Sequence, residues 1–299
     1  MAPERETTTF RAMGTDVVLT AVDAPDGALA RAADLVHTCE RRWSRFLDTS
    51  ELAQLNRRAG RPVVLPRDTY ELVRAAVRCW SLTAGWFDPT VLRAIESAGY
   101  DRSFDQASRA ARPTRATAGC AAIGLDDALG AVTLPTGVCL DLGGIAKGHT
   151  ADLVVELLVE EGASGAVADL GGDVRVGGEP PEDGWPVAIA DPFDTDVDLR
   201  IVHLASGAVA TSSTTRRRWR HGTRELHHLI DPFTGAPSAS SLAAVTVVAA
   251  TAAWAEVVAK AALLADDDAA CLVHAAGATG LAVTTAGELV VFDGLEAYT

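Results

Sequence analysis

The chain has 299 residues, 48% of them hydrophobic and 22% charged, with a formal net charge of −14. This is the composition of a globular protein with room for one large core or two smaller lobes, and no uninterrupted apolar run reaches the roughly 18 residues that a membrane span needs. An acidic balance without a basic stripe excludes tracking a nucleic-acid backbone, whereas a compact anion can still be met by local positive groups.

The five cysteines (Cys39, Cys79, Cys120, Cys139, Cys271) are scattered and never in CxxC spacing, so they read as buried small hydrophobes rather than a zinc cluster or disulfide framework. The first residues, MAPERE, carry no apolar signal region, and the chain reads as cytoplasmic unless a leader was removed before residue 1. Only two of the 26 basic residues are lysines, Lys147 and Lys260. Against so strong an arginine bias, a retained lysine hints at a place that needs a compact ammonium.

In chain order, residues 15–22 read as a strand and 27–46 as an amphipathic helix, with Leu29, Ala33, Val36, Cys39 and Trp43 on one face. Ser50 caps a short helix carrying Leu52 and Leu55, 62–65 form a short strand, and Asp68 caps a helix through Val73, Val77 and Trp80. Residues 101–119, polar and unpatterned, read as a long surface loop. Beyond 120, short strands are expected at 131–134, 138–142, 164–169, 173–177, 186–190, 199–204, 207–211, 226–230, 244–249, 279–284 and 288–292. Helices interrupt them at 145–161 and 252–265, with a continuation near 267–276. Runs of strands punctuated by helices predict an α+β fold with antiparallel sheet. No repeat or linker divides the chain, so residues 1–299 read as one domain, or as two intertwined lobes.

Four segments carry chemistry. Residues 141–148, DLGGIAKG, end an apolar strand in an acid, turn through two glycines and open a helix with Lys147 in its first turn. Backbone N–H groups at such a turn suit a diphosphate, and Lys147 would add a movable positive charge; a purely structural glycine turn explains the residues as well. Lys147 precedes Gly148 and no Ser or Thr follows, so this is not a Walker A loop. A second turn, Gly171-Gly172-Asp173, reads most simply as a β-turn between neighbouring strands. In 227–235, HHLIDPFTG, adjacent strand histidines point to opposite faces; His228 shares a face with Ile230 and is a candidate general base, with Asp231 opening the following turn. In 85–90, GWFDPT, two aromatics beside an acid can clamp a planar ring or simply anchor a turn.

These four segments, in this order, resemble the FAD:protein FMN transferase (ApbE-like) family. Further matches are Arg11-Ala12-Met13-Gly14-Thr15, the Ser50-Glu51-Leu52 to Asn56 element, Asp191-Pro192 and Ala210-Thr211-Ser212, so the likeness spans roughly residues 9–265. It implies a T-fold-like α+β architecture and an enzyme that splits FAD, esterifies FMN onto a Ser or Thr of an acceptor flavoprotein and releases AMP. It also implies that Met13, Phe46, Phe87, Asp88, Asp141, Lys147 and Ile230 contact FAD, with Trp86 joining them by adjacency. His228 would then sit at the reacting phosphate as the base, with Asp231 orienting its loop.

One position departs from the pattern. The family's helix after 245–247 carries Asp and Thr four apart, which hold magnesium together with a carbonyl of the glycine turn at Gly144. Here the matching residues are Glu256 and Lys260. An ammonium donates hydrogen bonds and cannot ligate magnesium. Either Glu256 and Lys260 form an i,i+4 ion pair in a dead site, or the Lys260 ammonium stands in for the cation; magnesium held by Glu256 and ligand phosphates is a third arrangement. Arg216-Arg217-Arg218-Trp219-Arg220 reads as a solvated hairpin arm, or as a contact for an acidic partner. Residues 231–237 superficially match the family's acceptor motif, but Pro237 has no hydroxyl to accept FMN. An FAD diphosphatase, and an FAD-binding module that never cleaves its ligand, remain open beside the transferase.

Overall fold

The computed structural model describes residues 3–101, 119–221 and 224–299. The expected loop at 101–119 falls almost wholly outside the described residues.

Its centre is an eight-stranded, wholly antiparallel sheet in the order β1-β2-β6-β7-β10-β13-β14-β15. These strands are β1 (Arg5–Ala12), β2 (Thr15–Val22), β6 (Gly165–Leu170), β7 (Val174–Gly178), β10 (Gly207–Ser213), β13 (Leu242–Ala249), β14 (Thr279–Thr284) and β15 (Leu289–Val291). Side chains alternate across each strand, so one sheet has two faces to cover. One face takes the helices α1 (Ala28–Trp43), α5 (Ala146–Glu160), α6 (Ala252–Ala265) and α7 (Ala269–Ala275), burying Val17, Leu19, Ala166, Ala168, Val245 and Val247. The other face takes a two-stranded ribbon, β8 (Trp185–Ala190) with β9 (Asp198–Leu204), which covers Val176, Val209, Val248 and Leu281. All eight residues of β13 are buried because both of its faces are covered.

A second apolar cluster lies beyond α1. It joins Trp43, α2 (Glu51–Arg57), α3 (Arg67–Leu82) and the small sheet β3 (Pro62–Val64), β4 (Gly124–Asp126) and β5 (Ala131–Thr133) to Phe87, Leu140, Leu142, Val257 and Ala261. Helix α6 serves both clusters, and eleven of its fourteen residues are buried. Its N-terminus is capped from outside: Asp152 of α5 accepts the N–H groups of Ala252 and Ala253 at 2.8 and 2.9 Å.

Several sequence expectations need correction. Residues 138–142 join no sheet; the Asn56 side chain takes the place of a neighbouring strand, donating to the Leu140 carbonyl and accepting its N–H at 2.9 and 2.8 Å. Ser50 caps α2 as expected, accepting from Ala53 N–H at 2.9 Å. Asp68 does not cap α3, which starts at Arg67 behind Pro66, and pairs with Arg42 instead. Strand β1, the helix α4 (Leu92–Ser97) and β4 went unread. Cys39, Cys120 and Cys139 are buried, but Cys271 is exposed.

Candidate active site

The glycine turn at 143–144 is held from both sides. Asp141 folds back so that Oδ1 accepts the Gly143 N–H at 2.9 Å, while Oδ2 lies 3.8 Å from the Arg45 guanidinium. A side chain at Gly144 would have its Cβ 2.9 Å from Lys260 Nζ and 3.3 Å from the Phe87 ring, so only glycine leaves the lysine its place.

Helix α5 then presents Lys147. Its ammonium is clasped between Asp173, from the β6–β7 turn, and Glu256 Oε1 of α6 at 2.6 Å. Burial alone would drive this lysine toward neutrality; the two carboxylates outweigh it and hold the pKa above the ordinary lysine value. The expectation of a movable charge is therefore corrected: Lys147 is fixed, and its charge is already shared. The Gly171-Gly172 turn is the β-turn expected, with φ of +71° and +94°, and it also delivers Asp173.

Both oxygens of Glu256 have partners. Oε1 takes Lys147 and Oε2 accepts the Gly148 N–H at 2.9 Å. The i,i+4 ion pair between Glu256 and Lys260 does not form. Lys260 makes no hydrogen bond or ion pair among the described residues, and its Nζ stands 5.7 Å from the centroid of the Phe87 ring. Burial lowers its pKa below the usual lysine value, opposed by Asp141, Glu256 and Asp88.

The two histidines divide as sequence parity predicts, although not for the reason given. The ribbon β11 (Arg218–His221) with β12 (Arg224–His227) ends at His227. His227 is tied to the backbone: Nε2 bonds the Ser238 carbonyl at 3.0 Å, and Nδ1 accepts from Leu229 N–H at 3.3 Å. His228, just past the strand, lines the cleft with its Nδ1 buried and unpartnered. Burial first, then Arg217 and Lys260, push its pKa well below the ordinary histidine value, so the ring is a neutral base at pH 7. Because strand alternation stops at His227, Ile230 does not share its wall. It is buried in a separate cluster with Tyr100 and Trp219. Asp231 bonds within its own loop, accepting from Phe233 N–H at 2.8 Å and Thr234 Oγ1 at 2.9 Å.

These groups meet on a cleft of about 590 Å³, which runs from the sheet and residues 186–192 of the ribbon to the start of α5 and the middle of α6. Of the residues expected from the sequence, Gly144, Lys147, His228, Glu256 and Lys260 line it. Phe87, Asp88 and Asp141 stand behind the glycine turn; Phe87 and Asp88 are buried, and Asp88 accepts from Thr90 N–H at 2.7 Å. Met13, Phe46, Trp86 and Ile230 do not line it. Trp86 meets Phe233 edge to face, the Arg45 guanidinium lies over Phe46, and the Met13 N–H donates to Glu40. Sequence reasoning names Asp173 only as part of a turn and Arg217 only within an arginine run, and gives neither a place in the site.

The donor set does not fit magnesium. Glu256 already serves Lys147 and the Gly148 N–H, and Lys260 brings a hydrogen-bond donor where an oxygen ligand is needed. Among the described residues, no group of three or more His, Cys, Asp or Glu side chains is arranged to hold a metal ion.

A profile of the ApbE family matches residues 13–285. The FAD:protein FMN transferase of Treponema pallidum is 31% identical over 241 residues, covering 74% of this chain and 67% of the relative. The FAD:protein FMN transferase of Klebsiella pneumoniae is 27% identical, covering 79% and 75%. The crystal structure of the ApbE protein from Thermotoga maritima superposes with a TM-score of 0.90 at 26% identity, covering 99% of each chain.

Proposed function

The chain belongs to the ApbE family, and on that premise we propose that it is an FAD:protein FMN transferase, which moves the FMN half of FAD onto a Ser or Thr hydroxyl of an acceptor flavoprotein and releases AMP. The observation that carries the reading is the meeting, on one cleft beside the Gly143-Gly144 turn, of a neutral His228 and a Lys260 that forms no ion pair among the described residues.

In the reaction, the acceptor oxygen bonds to the FMN phosphorus as the bond from that phosphorus to the bridging oxygen breaks. The bridging oxygen leaves with AMP, and the hydroxyl proton passes to the His228 imidazole. Phosphoryl transfer of this kind depends on in-line placement and on neutralising the phosphate oxygens. Lys260 supplies that charge from the position at which relatives are expected to hold a metal. Lys147, already shared between Asp173 and Glu256, fixes the start of α5 and with it the Gly143-Gly144 turn on the cleft wall. Asp231 keeps the loop behind His228 in shape.

The reading is tested by incubating the protein with FAD, with and without an acceptor flavoprotein domain. AMP release is followed together with the mass of the acceptor. Transfer predicts AMP only with acceptor, matched mole for mole by an FMN adduct. AMP in both arms would replace the reading with a diphosphatase, and AMP in neither with a binding module.

A further inference from the structure

Three consecutive arginines open the β11 ribbon, and they go three ways. Arg218 turns outward and pairs with Glu225 at 2.7 Å. Arg216 is exposed on the rim of the cleft. Arg217 lines the cleft itself, half-buried, with Nη2 only 3.9 Å from where a Cβ on Gly14 would stand. It has no hydrogen bond or ion pair among the described residues.

Its backbone is as unusual as its side chain. Arg217 sits at φ +52°, a left-handed conformation that glycine adopts freely and a long side chain adopts at a cost. The segment is anchored on both sides. Before it, the Thr215 N–H donates to Ser213 Oγ at 3.0 Å and the Thr214 N–H to the Ala243 carbonyl at 2.9 Å; after it, the buried Trp219 donates its indole N–H to the Ala98 carbonyl at 2.9 Å. A strained residue held in place by its surroundings and aimed into a cleft marks a functional position.

The charge around it points the same way. Of the four cations on the cleft, Lys147 is taken by Asp173 and Glu256, and Arg216 lies out at the rim. Among the acids on the cleft, Asp169 accepts from Gly172 N–H and feels the charge of Arg216, Asp191 accepts from Phe193 N–H, and neither forms an ion pair with Arg217. That leaves Lys260 and Arg217 as the cations beside His228 that form no ion pair among the described residues. A guanidinium offers a planar fork that matches two oxygens of a phosphate group.

We infer that Arg217 is a diphosphate ligand of this site, its guanidinium binding phosphate oxygens of FAD beside the phosphorus that His228 serves. The assignment rests on the FAD-cleaving reading above, and predicts that Arg217 recognises the diphosphate whatever nucleoside or flavin it bears.

The test measures affinity for FAD and for ADP by calorimetry in the wild type, Arg217→Gln and Arg217→Gly, alongside thermal melting. Loss of one charge-assisted contact should weaken both ligands by about 10- to 100-fold in both variants. Arg217→Gly should melt no lower than the wild type, because glycine relieves the positive φ; a purely structural role would instead lower its melting temperature. Affinities for FAD and ADP within twofold of wild type in Arg217→Gly would overturn the assignment. If the wild type binds ADP through Arg217 but releases no AMP from FAD with acceptor, the ligand assignment stands and the transfer reading falls. If transfer proceeds and Arg217→Gly binds both ligands normally, the reverse holds.

Discussion

The Glu256 carboxylate accepts the backbone N–H of Gly148 at 2.9 Å, locking the middle of α6 onto the first turn of α5. The contact is possible because Gly148 has no side chain: a Cβ there would stand 2.3 Å from the Ala252 carbonyl oxygen and 2.7 Å from the Ala253 nitrogen.

Replacing Gly148 with alanine inside a helix ordinarily gains up to about 1 kcal/mol. Here the sign should reverse, because the methyl group forces the helices apart at an overpacked contact that costs about 1–3 kcal/mol. Urea unfolding of Gly148→Ala should show a lower midpoint at unchanged slope. A higher midpoint would mean that α5 and α6 do not pack at this glycine.

Lys147→Met should be among the most damaging single changes. It leaves Asp173 and Glu256, both buried, facing each other without a counter-charge, a loss of about 3–5 kcal/mol. Burial and the neighbouring Asp173 already raise the Glu256 pKa above its unfolded value, and losing the ammonium that opposes them raises it further. Groups raised in this way favour the folded state at low pH and lose that contribution as pH rises through the folded values. The deficit relative to wild type should therefore be smaller at pH 5 than at pH 8. An equal deficit at both would show that the two acids are not buried together.

His228→Ala should lower the transfer rate by about 10²–10⁴-fold while FAD binding persists, since a base acts mainly in the transition state. His227→Ala should instead cost about 1–3 kcal/mol of stability, because the Ser238 carbonyl and Leu229 N–H lose their partner, with transfer per folded molecule retained. With its pKa depressed, His228 stays deprotonated below the range where an ordinary histidine charges. The acid limb of kcat/KM should fall below about pH 6.5. A limb above that value, or an inactive but fully stable His227→Ala, would count against the assignment.

Transfer should persist in EDTA and gain little from added magnesium, whereas Lys260→Met should lose most of it, as diphosphate oxygens are left without counter-charge. In the double variant Glu256→Asp/Lys260→Thr, oxygen ligands return and activity should become magnesium-dependent. Wild-type protein that stops in EDTA and recovers with magnesium would remove Lys260 from the chemistry.

The elements that the sequence predicts well are those whose burial pattern is their own. Strand β2 alternates and α1 repeats its apolar face every three to four residues, so both were readable to within a few residues. Residues 138–142 have the same apolar character, but their hydrogen-bond partner is the side chain of Asn56, 84 positions away, which no local pattern encodes. At the site, Gly144, His228 and Lys260 were legible because glycine pairs, histidine pairs and rare lysines stand out. The partners were not. That Lys147 is held by Asp173 and Glu256 depends on a turn and a helix 26 and 109 residues further along. Arg217 was hidden by its neighbours, since a run of arginines looks solvated until the backbone turns one of them inward.

The Gly148–Glu256 contact also sets an order of events. It joins residues 108 positions apart, and the glycine turn and Lys147 leave the ribosome well before α6 does. Until that helix docks, Lys147 lacks one of its two carboxylates, and the wall that carries Lys260 does not exist. A chain synthesised only as far as α5 therefore lacks the α6 wall of this site. On the proposed reading, a complete site arrives only together with the long-range closure of the fold.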